Sequence, residues 1–158
     1  MYAIAIICLM VGADQVMKAW VVSHISMSSF HQLLPGLMGL TNLHNDGAAW
    51  SMLEGQQWFF TLISILAIAI LGALLYRYRE NRGLTIGLAL IMAGTIGNFI
   101  DRLRFHYVVD MFQTEFINFP VFNIADACLT VGVIIIVIKV LKEDEHADAG
   151  QKASHKHS

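Results

Sequence analysis

The chain has 158 residues, 56% of them hydrophobic and 14% charged, against about 25% charged in an ordinary water-soluble domain. Its net charge of −2 arises in residues 143–158, where Glu143, Asp144, Glu145 and Asp148 outnumber Lys152 and Lys156. The neutral remainder offers no basic patch to nucleic acid or to anionic lipid, and two cysteines in apolar runs, Cys8 and Cys128, exclude a disulfide framework and read as packing thiols.

The first predicted element is a membrane-spanning helix over residues 3–22, interrupted by Asp14 and Lys18. Large Ile6 and Ile7 precede Cys8, and no basic stretch precedes the apolar run, so the segment reads as an anchor rather than a cleaved leader. Residues 23–57 are too many for a bare connection. Extended residues 37–44, turn-forming Asp46 and Gly47, and residues 48–53 predict a hairpin there. The second span, 58–76, is uncharged, with Trp58, Phe59 and Phe60 at one end and Tyr76 and Tyr78 at the other, as interfacial aromatics sit. The third, 84–101, repeats small residues at Ala89, Ala93 and Gly97, a stripe that lets a neighbouring helix approach closely. After residues 103–120, the fourth span, 121–141, starts behind Pro120, whose missing N–H costs no helical bond there. Residues 143–158 read as a polar, disordered tail, and its His155 and His157 lack further ligands to frame a metal site.

Residues 1–142 are therefore expected to form one domain, an all-α membrane protein with a four-transmembrane-helix bundle and a small extracytoplasmic hairpin. Arg77, Arg79 and Arg82 between spans two and three, with Lys139 and Lys142 ending span four, mark the cytoplasmic side. Both termini are then inside, and residues 23–57 and 103–120 outside. Arg102 and Arg104 oppose this orientation, and a carboxylate holding Arg102 would remove the conflict.

An ionisable side chain at the bilayer centre costs on the order of 3 kcal/mol, so each one needs a partner, a shallow depth or a function. Asp14 and Lys18 stand four apart with the acid first, the favourable order for a helical ion pair. Asn98, Asp101 and Arg102 share a face at the outer end of span three. Asn123 and Asp126 open span four with Thr130 behind them, and Asp110 is an acid in an apolar loop. Each cluster also has a plain structural reading, as an ion pair, an interfacial cap or a turn residue.

Two carboxylates brought together cannot both ionise, so one pKa rises. The ionised partner can then activate water while the protonated one polarises a carbonyl and protonates the leaving amine. Spacing alone does not choose the pair, because Asp14, Asp46, Glu54, Asp101, Asp110, Glu115 and Asp126 all lie at or above the outer half. A small membrane transporter or proton relay through Asp14, Lys18 and Asp126 is the alternative, although a relay would spread its acids over several depths. A catalytically silent assembly factor is a third reading. Neither a Gly-x-Ser-x-Gly elbow nor a His-Glu-x-x-His zinc motif occurs, and no metal or other cofactor is expected.

Five stretches resemble the lipoprotein signal peptidases (signal peptidase II) in order and spacing: Asp14-Gln-Val-Met-Lys18, Asn45-Asp-Gly-Ala-Ala49, Gly97-Asn-Phe-Ile-Asp-Arg102, Val108-Val-Asp-Met-Phe112 and Phe119-Pro-Val-Phe-Asn-Ile-Ala-Asp126. The resemblance covers all but the tail. It implies a multi-pass aspartic endopeptidase of the bacterial cell membrane that removes signal peptides from diacylglyceryl-modified prolipoproteins, cutting just before the lipidated cysteine. Membrane lipid surrounds such an enzyme, and no obligate protein partner is implied. Motif by motif, the resemblance implies Asp110 and Asp126 as the catalytic pair. It makes Asp14, Lys18, Asn45, Gly47, Asn98, Asp101, Arg102 and Asn123 residues that bind substrate or support the site, with Asp101 bracing Arg102. The family's outer segment forms a small β-cradle on the membrane surface, in agreement with the expected hairpin. Met111 stands where a larger apolar residue is common.

Overall fold

A computed structural model describes residues 2–47 and 56–155. The elements are α1 (Tyr2–His24), β1 (Phe30–Leu34), β2 (Met38–Asn45), α2 (Gln57–Arg77), α3 (Arg82–Phe105), β3 (Val108–Thr114) and α4 (Ile124–His155). Each of the four helices contains a stretch long and apolar enough to cross a membrane. Leu9, Ile63, Leu66, Val133 and Ile134 are among many large apolar side chains left exposed. A surface of that kind is untenable in water and suits a lipid solvent.

α3 is the inner helix: 56% of its apolar window is buried, against 11 to 17% in the other three. Its sequence explains the position. Ala89 and Ala93 are buried as the small-residue stripe predicts, at 0% and 2% exposure, and the neighbouring helices close in on that side. At Gly94 an added Cβ would collide with the carbonyl oxygen of Ala125, so α3 and α4 meet backbone to backbone. At Gly97 it would stand 2.7 Å from Asp14 Oδ2, so the missing side chain makes room for a carboxylate from α1. Leu71 of α2 packs with Leu88 and Met92 on another side of α3. Cys128 is buried as expected, but Cys8 is exposed on the outer surface of α1.

The helix ends differ from the sequence expectation in three places. α3 runs on to Phe105, because nothing in 102–105 breaks a helix. It stops at His106, whose left-handed φ of 63° and N–H bond to the Arg102 carbonyl close the last turn. α4 begins at Ile124 rather than 121, because Phe122 is already engaged elsewhere: its carbonyl accepts from Met111 and Phe112, and its N–H donates to Phe112. Finally, α4 continues as helix to His155, where composition predicts a disordered tail. Extending an existing helix avoids the cost of nucleation, and Glu, Ala, Lys and Gln favour extension.

The sheet is antiparallel in the order β1-β2-β3. A hairpin joins β1 to β2 around Pro35 and Gly36, ahead of the Asp46 and Gly47 turn. β3 pairs along β2 from Met38 to Asn45, while β1 pairs only with its first half, Met38 to Thr41. The expected strand over 48–53 lies outside the described residues. Val21 of α1 and Ile25 just after it pack with Leu40, Val109 and Met111 beneath the sheet, which fixes the sheet over the end of α1.

Candidate active site

The start of α4 sets the first carboxylate. Asn123 is the N-cap, and its side-chain oxygen accepts from the Asp126 N–H at 2.9 Å. Asp126 Oδ2 in turn accepts from the Asn123 N–H at 3.1 Å. This reciprocal arrangement is a capping box, and it satisfies two helix-end N–H groups while fixing the Asp126 side chain. The Ala125 N–H is taken by Asp14 Oδ1 across the bundle at 3.0 Å.

Sheet register sets the second. Asn45 pairs with Val108 and Leu43 with Asp110, so Asn45 and Asp110 are diagonal neighbours within reach of one another. Asn45 Nδ2 donates to Asp110 Oδ2 at 2.9 Å. The bridge between Phe112 and Phe122 draws β3 alongside the start of α4, and Asn123 Nδ2 donates to Asp110 Oδ1 at 2.7 Å. Gly47 closes the turn after β2 by donating its N–H to Asn45 Oδ1 at 3.0 Å, which orients the Asn45 amide toward Asp110.

Behind these lies a buried charge cluster. The Lys18 ammonium contacts Asp14 Oδ2 at 2.8 Å, Asp101 Oδ2 at 2.9 Å and Asn98 Oδ1 at 3.1 Å. Asn98 Nδ2 donates onward to Asp126 Oδ1 at 2.8 Å. Asp101 accepts further bonds from the Val109 N–H at 3.1 Å and from Gln15 Nε2 at 2.9 Å. The expected brace between Asp101 and Arg102 does not form: Asp101 turns to Lys18, while Arg102 stands over the Phe60 ring at 5.1 Å. Adjacent residues on a helix point about 100° apart, so the two cannot face one partner. Gln15, given no separate role in the sequence reading, donates to Asp14, Asp101 and the Gly97 carbonyl. A polar residue beside Asp14 inside a span was its only signal.

Asn45, Gly47, Asn98, Arg102, Asp110 and Asp126 line one cavity of about 530 Å³, whose remaining wall is mostly apolar. Among the described residues, the geometry separates the seven acids. Asp46 and Glu115 are exposed, with Glu115 accepting from Gln32. Asp14 and Asp101 are paired with Lys18, and Glu54 lies outside the described residues. Asp110 and Asp126 are the two that reach the cavity.

Burial pushes the Asp110 carboxyl from 3.8 up to about 7, with the nearby Asp126 charge as the second cause, while the amides of Asn45 and Asn123 pull it down. Linkage gives the sign. Between about 3.8 and 7 the folded state keeps a proton that the unfolded chain releases, so ionising Asp110 costs stability as pH rises through that window. Asp110→Asn should therefore gain melting temperature relative to the wild type on going from pH 5 to pH 8. Tryptophan-fluorescence melting in detergent reads this, and a pH-independent difference would contradict it.

A family model described as signal peptidase (SPase) II matches residues 6–142. The lipoprotein signal peptidase of Lactiplantibacillus plantarum is 57% identical over 143 residues, spanning 90% of this chain and 95% of that protein. That of Lactococcus lactis subsp. lactis is 45% identical over 143 residues, with the same coverage. A bacterial membrane enzyme solved by the in meso method at 2.3 Å superposes with a TM-score of 0.85 at 35% identity, over 92% of this chain and 90% of that one. A second, solved at 1.9 Å, gives 0.79 at 37% identity, over 89% and 93%. With the match running from α1 to the end of the apolar part of α4, the chain belongs to the signal peptidase II family and is an aspartic peptidase of the membrane.

Proposed function

We propose that Asp110 and Asp126 are the catalytic pair of a peptidase that removes signal peptides from diacylglyceryl-modified prolipoproteins, cutting just before the lipidated cysteine. The observation that carries this reading is their convergence on one cavity while Asp14 and Asp101 are committed to Lys18. The raised Asp110 pKa supports it as the proton holder at neutral pH, with Asp126 as the base. Asp126 takes a proton from water, the hydroxide oxygen bonds to the scissile carbonyl carbon, and Asp110 stabilises the developing oxyanion by its hydrogen bond. Collapse breaks the C–N bond as Asp126 passes the proton it took from water to the cysteine nitrogen, which leaves as a free amine. The signal peptide departs with a new carboxyl group.

Orientation follows from charge. Arg77, Arg79 and Arg82 at the α2–α3 connection and Lys139 and Lys142 on α4 gather at the end of the bundle away from the sheet, which supports a cytoplasmic assignment for that end and for both termini. The sheet and the two carboxylates then stand at the outer face. Arg102 lines the cavity there beside the carboxylates, a functional reason for a cation on that side. Phe119, Val121, Leu129 and Val131 give the cavity an apolar wall that suits acyl chains, and each buried CH₂ contributes about 0.8 kcal/mol.

The test is cleavage of one precursor with and without its diacylglyceryl group by the purified protein. Lipid recognition predicts kcat/KM lower by about a hundredfold or more for the unlipidated form, and a chelator should not inhibit either reaction. Equal cleavage of both forms would sink the substrate assignment.

A further inference from the structure

We infer that Lys18 is a positioning residue that acts on the catalytic pair through Asn98, setting which way the Asn98 amide faces and so aiming its N–H at Asp126. The inference rests on the proposed pair and adds how one member is held.

An ammonium has three N–H groups and no lone pair, so every neighbour it bonds must present an acceptor. Lys18 uses its three on Asp14, Asp101 and Asn98. The side chain is 4% exposed, and water cannot readily substitute for any of them. The Asn98 atom facing Lys18 must therefore be oxygen, because a reversed amide would set N–H against N–H. With Oδ1 fixed there, Nδ2 has to point at Asp126, where the distance is 2.8 Å.

Asn98 Oδ1 also accepts from Asn123 Nδ2 at 3.1 Å. The Asn123 amide is held the same way round by its capping oxygen on the Asp126 N–H, and its remaining donation goes to Asp110. One cation and one helix cap thus fix the polarity of two amides, which deliver one N–H to each carboxylate. Among the described residues, Lys18 makes no ion pair with Asp110 or Asp126. Asp14 and Asp101 tie Lys18 to the backbone at Ala125 and Val109 and its charge reaches both carboxylates through space, but only Asn98 joins Lys18 to an oxygen of the pair through a single side chain.

A purely structural Lys18 would matter equally whatever stood at 98, so the test is a double-mutant cycle. Lys18→Met is made on an Asp14→Asn background, which removes one cation and one anion together and leaves an amide oxygen to accept from Ala125. The step from Asp14→Asn to Asp14→Asn/Lys18→Met is measured with Asn98 present and with Asn98→Ala. On a diacylglyceryl precursor, the Lys18 step should lower kcat on the order of a hundredfold with Asn98 present, at unchanged KM. With Asn98→Ala it should lower kcat by less than about threefold.

Equal losses in both backgrounds would overturn the inference. Should the combined variants fail to fold, Asn98→Asp decides it: this isostere keeps an oxygen toward Lys18 and Asn123 but has no N–H for Asp126, and wild-type kcat in it would also overturn the inference. Asp126→Asn separates the two levels. If it cleaves normally the proposed pair falls. If it is inert while the Lys18 losses match, only the positioning role falls.

Discussion

Lys18→Met in the otherwise intact chain is expected to leave little folded protein. The substitution keeps the stem and deletes the charge, so Asp14 and Asp101, each 1% exposed, lose the cation they share. Breaking a buried ion pair by removing one partner costs about 3–5 kcal/mol, because the other charge is left without compensation. That is a large part of the roughly 5–15 kcal/mol that holds a typical protein folded. Asp14 also caps the Ala125 N–H, so protonating it to relieve the charge would weaken the start of α4 as well. Adding Asp14→Asn should recover much of the loss, since the cluster regains its original net charge. The yield of monodisperse protein and its melting temperature in detergent measure both effects. A single variant as stable as the wild type would show that the ammonium is not what holds α1 to α3.

Asp110→Asn and Asp126→Asn are each expected to lower kcat by about 10³-fold or more, and the double variant to fall little further. The two carboxylates share one task. Without a base at 126 the proton on 110 has no attacking water to follow, and without the acid at 110 an activated water meets an unpolarised carbonyl. Additive losses would mean that the residues act in separate steps. Asn98→Ala should cost less than either, because it removes a hydrogen bond to Asp126 and leaves both carboxyl groups in place.

Hydrophobic length made the four spans legible in sequence, and the small residues of α3 correctly pointed to the close approach of its neighbours. Strand pairing was harder to read. β2 is recognisable by its extended character, but its partners depend on contacts with Phe30–Leu34, a short run with little alternation, and with β3, some seventy residues away. The polar clusters were visible as residues that lipid should reject, yet their pairing was not. Asn98 lies between its two neighbours on the helix face, with Asp101 turned toward α1 and Arg102 toward the cavity, and the periodicity that groups all three cannot say which side holds the lysine. Choosing Asp110 from seven acids required either the motif resemblance or the β3 register and the bridge at Phe122, which are non-local facts. The proton-relay alternative loses its main support in the fold, because Asp14 and Lys18 are buried and bonded to each other, to Asp101 and to the Ala125 N–H rather than open to a path.

The most direct test of the catalytic pair is cleavage of a diacylglyceryl-modified prolipoprotein by purified wild type, Asp110→Asn and Asp126→Asn in the same detergent, with folding checked by melting. The wild type should release the signal peptide and leave a free amine on the lipidated cysteine, while both folded variants leave the precursor intact. Normal cleavage by either variant would contradict the assignment of Asp110 and Asp126.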